Sequence, residues 1–233
     1  TTTDGRTLPV VKTFDGGAFQ MLWPTLTMPE NMSEGLSKTL RDFLDAALDY
    51  SQKKDLLGLL SAGYKAPGVY DGTAGISGLA ENTASHTETF ATLYALGAAY
   101  MVNPEKVGDF LRNIFVRQPG LVTASGYLEG YNNATASLIQ EKVSANQLSF
   151  LLGIIGQGPQ NTIRYFTDRG RLGRLNTLFH YGSAPNADLL TESASIVQDT
   201  DYRYWYIDST THHVVIKNFW FWDYSFSFYQ NNR

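Results

Sequence analysis

Residues 14–24 read FDGGAFQMLWP, and they combine a carboxylate, two adjacent glycines, an amide and aromatic rings ahead of a proline. The glycines carry no Cβ, so a ligand or another stretch of backbone can approach them closely. Asp15 stands at an N-cap position if the residues up to Trp23 form a short helix, which Pro24 would then end. Taken alone, this pattern predicts the start of a helix after a tight turn.

The same stretch resembles a motif of the glucoamylase-like bacterial domains that include β-1,2-glucanases. In that family an aromatic residue and one or two glycines precede Phe-Glu-x-Leu-x-Pro, and the resemblance extends over roughly residues 13–166. Gln20 stands where the family has a glutamate, and Asn146 stands where relatives have an aspartate. An amide can hydrogen-bond a sugar hydroxyl, but it cannot exchange a proton in acid–base catalysis. The resemblance therefore implies a carbohydrate site and leaves open whether it hydrolyses its ligand.

The composition excludes several classes of function. The chain has 233 residues with a net charge of −4, and it contains no basic block that would support binding to nucleic acid or to an anionic membrane. Its apolar runs are too short to span a bilayer. The absence of cysteine excludes disulfides, thiolate metal sites and cysteine catalysis. The sequence has no metal-ligand cluster, P-loop or dinucleotide fingerprint, so we predict neither a metal nor a cofactor.

Aromatic residues make up 13% of the chain. Aromatic rings stack on the apolar faces of pyranose sugars, and they also fill protein cores. The composition is therefore typical of a sugar-binding groove without distinguishing it from a well-packed interior.

Apolar residues recur at helical spacing in several stretches, separated by long loops at residues 61–84 and 120–133 that are rich in glycine and tyrosine. The predicted helix starts are Ser33, the capping box Ser85-His86-Thr87-Glu88, Pro104, and the capping box Ser144-Ala145-Asn146-Gln147. Pairs of antiparallel helices joined by such loops suit an (α/α) toroid. A complete toroid needs on the order of twelve helices, or more than about 300 residues at average helix length. We therefore expect a mainly α, toroid-like domain that is partial and resembles the C-terminal half of the family's domain.

The sequence predicts two domains. Residues 1–168 form the toroid-like helical domain, and residues 169–233 form an irregular segment that contains a small β-hairpin. The hairpin strands are residues 202–207 and 213–219, on either side of a polar turn. The run Phe219-Trp220-Phe221-Trp222 is too aromatic to face water, so it is expected to pack under the helices or to meet another chain.

Carboxylates in the glycine-rich stretches are the candidate catalytic residues, because a glycosidase needs two carboxyl groups at the bond that it breaks. Asp15 and Glu129 are assigned to this role. Glu129 ends the sequence Gly126-Tyr127-Leu128-Glu129, which resembles the family's Gly-aromatic-x-acid loop, and the alternative is a solvated loop charge. The predicted substrate-binding residues are Gln20, Trp23, Tyr70, Asp71, His86 and Tyr127.

Structural alternatives exist for two of these residues. His86 falls at the predicted first position of a helix, where a buried and hydrogen-bonded structural histidine is the competing interpretation. Trp23 is either a sugar platform or part of the core. Glu88 is interpreted as structural, because the capping box accounts for it.

Two functions remain. The first is an extracytoplasmic protein, periplasmic or secreted, that acts on a glucan-type polysaccharide with acidic residues contributed by missing N-terminal helices. The second is a non-catalytic glycan-binding or structural subunit that docks to a protein partner through its aromatic C-terminus.

Overall fold

The computed structural model describes residues 5, 7–32, 34–170, 205–207, 213–216 and 224–227. The chain divides into two compact units, residues 1–180 and 181–233. Helices account for about half of the described residues, in agreement with the predicted mainly helical class. The α-helices are α1 (Ala18–Leu22), α2 (Glu34–Lys53), α3 (Tyr94–Val102), α4 (Pro104–Arg117), α5 (Ser144–Ile155) and α6 (Gly158–Asp168). Within the described part of the chain, no helix is both long and apolar enough to cross a membrane.

Helices α2 and α4 bury the apolar stripes that their sequence periodicity predicts. The buried residues are Leu40, Phe43, Leu44, Ala47 and Leu48 on α2, and Val107, Leu111 and Ile114 on α4. Each fully buried leucine or phenylalanine contributes about 1.5–3 kcal/mol. Helix α4 begins at Pro104 as expected, and Oδ1 of Asn103 caps it by accepting a hydrogen bond from the N–H of Lys106 at 3.1 Å. The predicted cap of α2, Ser33, lies outside the described residues.

Helices α3 and α5 pack closely because two glycines meet where they cross. A Cβ on Gly153 would lie 1.9 Å from the carbonyl oxygen of Gly97, and a Cβ on Gly97 would lie 2.4 Å from the Cα of Phe150. The buried residues of α5 are Ser149 and Gly153. The sequence predicts a buried stripe of Leu148, Leu151, Leu152 and Ile155, but Leu148, Leu151 and Ile155 are more than half exposed. The prediction is wrong because the helix packs through its small residues.

Short antiparallel strands occupy both segments that the sequence predicts as loops. Strands β1 (Gly63–Ala66) and β2 (Val69–Asp71) form one hairpin, and β4 (Val122–Thr123) and β5 (Gly126–Tyr127) form another. Strands β3 (Phe90–Thr92), β6 (Gly130–Asn132) and β7 (Ser137–Ile139) form a three-stranded sheet with β6 in the middle. These pairings fix the backbone of the glycine- and tyrosine-rich stretches.

The predicted helix start at the Ser85–Glu88 capping box is wrong. Residues Phe90–Thr92 pair with β6 as strand β3, and α3 begins only at Tyr94. Glu88 instead accepts hydrogen bonds from the N–H of Ser77 at 2.8 Å and from the hydroxyl of Tyr50 on α2. Glu88 is structural as expected, but it joins a turn to α2 and caps no helix. Tertiary strand pairing outweighs the local start signal here.

The Ser144–Gln147 capping box is also wrong, although α5 does begin at Ser144. The N-cap residue is Val143, and no side chain makes a capping hydrogen bond. The amide of Asn146 is directed elsewhere, as described below.

The second unit contains β8 (Trp205–Ile207), β9 (His213–Ile216) and β10 (Tyr224–Ser227), which pair antiparallel in the order β10-β9-β8. The predicted β-hairpin is confirmed, and β10 adds a third strand. The aromatic run Phe219–Trp222 and the predicted irregular stretch from residue 171 to 204 lie outside the described residues.

Candidate functional site

The first polar centre surrounds Asp15. Its Oδ2 accepts a hydrogen bond from Nε2 of Gln20 at 3.0 Å, and Oε1 of Gln20 accepts one from the Asp15 N–H at 2.8 Å. Its Oδ1 accepts a hydrogen bond from Nδ2 of Asn82 at 3.1 Å. Nε2 of His86 lies 3.9 Å from Oδ1 and has no hydrogen-bond partner among the described residues, although the side chain is only 3% exposed. Two side-chain amides therefore hold the carboxylate, and within that part of the chain Nε2 of the buried His86 lacks the hydrogen bond that the structural interpretation expects.

The glycines beside Asp15 are needed because two backbone segments touch there. Gly16 has φ +69°, and a Cβ on it would lie 2.1 Å from the carbonyl oxygen of Ile76. A Cβ on Gly75 would lie 1.9 Å from the carbonyl oxygen of Asp15. The N-cap of α1 is Gly17, with no side-chain capping bond, so the predicted N-cap role of Asp15 is wrong. The side-chain amides of Gln20 and Asn82 hold the carboxylate, so it does not cap the helix.

The second polar centre surrounds Glu129, which directly precedes β6 and is 1% exposed. Its N–H donates to the carbonyl oxygen of Glu141 at 2.9 Å, and its carbonyl oxygen accepts from the N–H of Leu93 at 3.0 Å. Nδ2 of Asn146 on α5 lies 2.8 Å from Oε1 and 2.9 Å from Oε2. The N–H of Tyr64 lies 3.4 Å from Oε1. The backbone is thus fixed by neighbouring strands, and the carboxylate is held mainly by one amide.

Burial raises the pKa of the Glu129 carboxyl above its usual value. Hydrogen bonds from Asn146 and the Tyr64 N–H act in the opposite direction, and the charge of Glu141 raises the pKa further. Burial also raises the pKa of Tyr94 and Tyr127, and the Glu129 charge adds to both shifts. A buried carboxyl group with a raised pKa has the protonation behaviour of a general acid. The alternative interpretation of Glu129 as a solvated loop charge is wrong, because the sheet and α5 enclose the side chain.

A hydrogen-bonded path connects Tyr94 to α1. The hydroxyls of Tyr94 and Ser61 lie 2.8 Å apart, and the Tyr94 hydroxyl also lies 2.7 Å from the carbonyl oxygen of Ala62. Oγ of Ser61 accepts a hydrogen bond from the N–H of Phe19 at 3.0 Å. Phe19 is the neighbour of Gln20, so the path runs from Tyr94, which feels the Glu129 charge, to the helix that carries Gln20.

Trp23 contacts both α1 and α5. Its ring packs on Phe19 with centroids 4.5 Å apart, and its Nε1 donates to Oγ of Ser149 at 2.9 Å. Ser149 is one helical turn from Asn146 on α5. Trp23 begins a 3₁₀ turn, Trp23–Leu26, that continues from α1 through Pro24, and it is 40% exposed. The side chain is therefore anchored by its indole N–H while part of its ring faces solvent, so it is not a core residue.

Tyr127 contributes to the Glu129 centre through α5. Its hydroxyl donates to the carbonyl oxygen of Asn146 at 2.6 Å, and its ring packs on Phe150. This contact places the first turn of α5 beside the strand that leads to Glu129.

Asp71 and Tyr70 lie on the β1–β2 hairpin. Asp71 accepts hydrogen bonds from Nζ of Lys65 and from the hydroxyl of Thr87, each at 2.8 Å, and from the N–H and hydroxyl of Thr73. Burial alone would raise the pKa of Asp71, but these hydrogen bonds hold it well below its usual range. Tyr70 is 60% exposed and packs edge-to-face on Tyr64, whose N–H contacts Glu129. Tyr70 thus offers an exposed ring near the second centre, whereas the carboxylate of Asp71 is engaged by its own hairpin.

The structure distributes the predicted site residues over neighbouring groups. The Asp15 centre contains Asp15, Gln20 and His86, and the β1–β2 hairpin contains Tyr70 and Asp71. Glu129, Tyr127 and Trp23 each contact α5, through Asn146 or Ser149. Four residues of the two centres are absent from the predicted set, namely Ser61, Asn82, Tyr94 and Asn146. The sequence does contain a signal for Asn146, because it places an amide in the first turn of a predicted helix. The capping-box interpretation assigns that stretch a structural role, so Asn146 is not selected. Within the described residues, no group of three or more histidine, aspartate or glutamate side chains is arranged to hold a metal ion.

Comparison with known proteins gives a fold relationship. No protein-family model matches the sequence, and no curated protein matches it. One similar solved structure is a mutant endo-β-1,2-glucanase from Talaromyces funiculosus in complex with β-1,2-glucan. It has a TM-score of 0.66 and 13% identity, over 77% of this chain and 37% of that chain. A second is the endo-β-1,2-glucanase from the same organism in complex with sophorose, with a TM-score of 0.62 and 14% identity over 72% of this chain and 35% of that chain. This chain therefore spans about a third of the length of these glucanases and shares their fold over the matched part.

Proposed function

We propose that this chain is a carbohydrate-active domain of glycoside-hydrolase-like fold that binds a glucan-type chain beside the Glu129 centre. The observation that carries the proposal is a buried carboxyl group with a raised pKa, held by the amide of Asn146 on α5, the helix that also anchors the partly exposed ring of Trp23 through Ser149. Aromatic rings supply stacking surfaces for pyranoses, and a few buried polar groups fix the orientation of a ligand. The fold shared with endo-β-1,2-glucanases makes a glucan the first ligand to test.

The proposal extends to the architecture and the location of the protein. We place the matched helices in an (α/α) toroid of which this chain supplies a part, because the chain covers only about a third of the glucanases. A polymeric glucan is encountered outside the cytoplasm, so the proposal includes a periplasmic or secreted location. Fractionation of cells that express the protein tests the location independently of binding.

In a hydrolytic version of this function, Glu129 is the general acid. Hydrolysis also needs a second carboxyl group at the same glycosidic bond. Asp15 is engaged by the amides of Gln20 and Asn82, so its base or nucleophile role requires that these amides move. The second carboxyl group is then either a released Asp15 or a residue of a further helical segment.

Binding without hydrolysis is the second candidate, and the two carboxylate–amide pairs favour it. Gln20 donates to Asp15, and Asn146 donates to Glu129. An amide in such a pair neither accepts nor delivers a proton during turnover. The glucanase mutant that is solved with β-1,2-glucan has glutamine in place of one glutamate, so in that protein such a change is compatible with bound glucan. Docking through the aromatic C-terminus remains a prediction for this version.

The experiment combines calorimetric binding of β-1,2-glucan oligomers with an assay for released reducing ends, on the wild type, Trp23→Ala and Glu129→Gln. Trp23→Ala should weaken binding by about tenfold, since stacking contributes on the order of 1 kcal/mol. The matched control is Tyr165→Ala, another half-exposed ring, on α6, which packs on Phe166 and should leave binding unchanged. Release that disappears in Glu129→Gln supports hydrolysis, and binding without release supports the second candidate. The proposal fails if no glucan binds, or if Tyr165→Ala weakens binding as much as Trp23→Ala.

A further inference from the structure

The carboxylate of Glu129 depends on one strong hydrogen-bond donor. Within the described residues, its partners are Nδ2 of Asn146 at 2.8 and 2.9 Å and the more distant Tyr64 N–H at 3.4 Å. Gly63 lies against the same carboxylate, since a Cβ on Gly63 would lie 2.7 Å from Oε1 and 2.9 Å from the methyl group of Thr92. The amide of Asn146 is thus the main compensation for a carboxylate that is 1% exposed.

Among the described residues, the charged group that shifts the pKa of Glu129 is Glu141, which follows β7 and raises that pKa through its negative charge. Tyr94 on α3 and Tyr127 on β5 present phenol groups that interact electrostatically with the carboxylate. Lys65 on β1 is the cation of a strand that packs against Glu129, and its Nζ is paired with Asp71 at 2.8 Å. Without the amide, the ionised carboxylate would be buried and unpaired, a state that neutralises by taking up a proton.

Asn146 is itself reachable from solvent. Its side chain is half-buried, and the preceding residues Ser144 and Ala145 in the first turn of α5 are exposed. A ligand oxygen that approaches this turn meets the amide before it meets the carboxylate. A sugar hydroxyl or ring oxygen can accept the same N–H that Glu129 accepts.

We infer that Asn146 couples ligand binding to proton uptake at Glu129. This inference rests on the proposed glucan-binding function. When a sugar oxygen accepts the Asn146 N–H, the amide turns away from the carboxylate, and one oxygen of Glu129 takes a proton from solvent. The new O–H of Glu129 then donates to the ligand or to the side-chain oxygen Oδ1 of Asn146. No covalent bond of the ligand is made or broken, so the step adds only one proton from bulk water. Asn146 acts as a positioning residue that favours the ionised form of Glu129 in the free protein and no longer does so in the complex.

The test is calorimetric titration with β-1,2-glucan oligomers in pairs of buffers that differ in ionisation enthalpy, repeated across pH 5 to 8. The wild type should take up at most about one proton per ligand. Within the pH range where uptake occurs, its affinity should therefore fall by at most about tenfold for each unit by which pH rises. Glu129→Gln should abolish uptake while it still binds, because a neutral amide replaces the titrating group. Asn146→Ala should also abolish uptake, because Glu129 is then already protonated before the ligand arrives. The matched control, Glu105→Gln in the exposed first turn of α4, should take up protons as the wild type does.

Carbon-13 NMR of the glutamate carboxyl carbons in the wild-type protein provides a measurement that needs no variant. Addition of oligomer should move one buried glutamate resonance from its ionised toward its protonated position. Binding without proton uptake at any pH would overturn this inference and leave the proposed function standing. Absence of binding would overturn both.

Discussion

Replacing Gly153 by alanine tests how closely α3 and α5 pack. In an exposed helix, the change from glycine to alanine stabilises by about 1 kcal/mol through helix propensity. At Gly153 the new Cβ would lie 1.9 Å from the carbonyl oxygen of Gly97 and 2.2 Å from its carbonyl carbon. Both are backbone atoms, so no rotamer change can relieve the clash, and the two helices must separate by about 1 Å.

Separation of packed helices costs about 1–3 kcal/mol and occasionally more, because the contacts on both sides of the crossing loosen together. This cost exceeds the propensity gain, so we expect Gly153→Ala to lower the free energy of unfolding by about 1–2 kcal/mol. Asn146 and Ser149 lie on the same helix, so the displacement should also weaken the Trp23 contact. Quenching of tryptophan fluorescence reports that change.

The matched control is Gly108→Ala on α4. A Cβ at Gly108 would meet only the side-chain tips of Arg112 and Tyr100, each at 3.8 Å, which is ordinary contact. This variant should gain about 0.5–1 kcal/mol from propensity alone. Urea unfolding followed by far-UV circular dichroism measures both variants. The packing argument is refuted if Gly153→Ala is as stable as the wild type, or if both variants shift in the same direction.

Three further predictions concern single side chains. Burial raises the pKa of Glu30 to about 7, so the folded protein binds this proton more tightly than the unfolded chain and loses stability as pH rises from about 4.5 to 7. In urea titrations, Glu30→Gln should be more stable than the wild type at pH 8, on the order of 1–3 kcal/mol, and equal to it at pH 4. Burial would raise the pKa of Asp71, but its hydrogen bonds, including the one from Lys65, hold that pKa low. The ionised carboxylate therefore stabilises the folded protein at neutral pH, and this stabilisation is lost as pH falls below about 4. Asp71→Asn should cost about 1–3 kcal/mol at pH 7 and flatten the acid limb of the stability curve, and an unchanged limb would contradict the assignment. Tyr94→Phe removes the hydroxyl that contacts Ser61 and should cost about 1–2 kcal/mol in thermal unfolding, whereas a neutral effect would show that the path to α1 adds no stability.

The helices that the sequence predicts well are those whose signals are local. Helix α4 combines a cap at Asn103, a proline at its first position and an apolar stripe, and all three act within one segment. Helix α2 shows the same agreement through its periodic leucines. Such features depend on neighbours in sequence, so they can be interpreted without knowledge of the fold.

The prediction fails where a distant segment decides the outcome. Ser85–Glu88 satisfies the capping-box pattern, yet strand β3 forms because β6 is available to pair with it. Leu148 and Leu151 have the spacing of a buried stripe, yet α5 turns Ser149 and Gly153 inward because Gly97 allows close approach from α3. Neither partner is visible from the local sequence.

The candidate site divides in the same way. Residue chemistry selects Glu129, and the structure buries this residue and pairs it with an amide. It does not find Asn82, which reaches Asp15 from a separate loop. The predicted (α/α) toroid and the roles of the site residues remain predictions, since a hydrogen-bond arrangement does not identify a substrate.

The interlocked backbones at Gly16 and Gly75 determine how this protein can be modified. A Cβ on either glycine would meet backbone atoms of the other segment, so a side chain at either position would push the two main chains apart. A mutational scan should find both glycines intolerant, and paired libraries that vary residues 15–17 and 74–76 together should retain glycine at positions 16 and 75 in every folded variant. The hydrogen bonds of the Asp15 carboxylate can therefore be varied through Gln20 and Asn82, whereas the path of the main chain beside it depends on both glycines together.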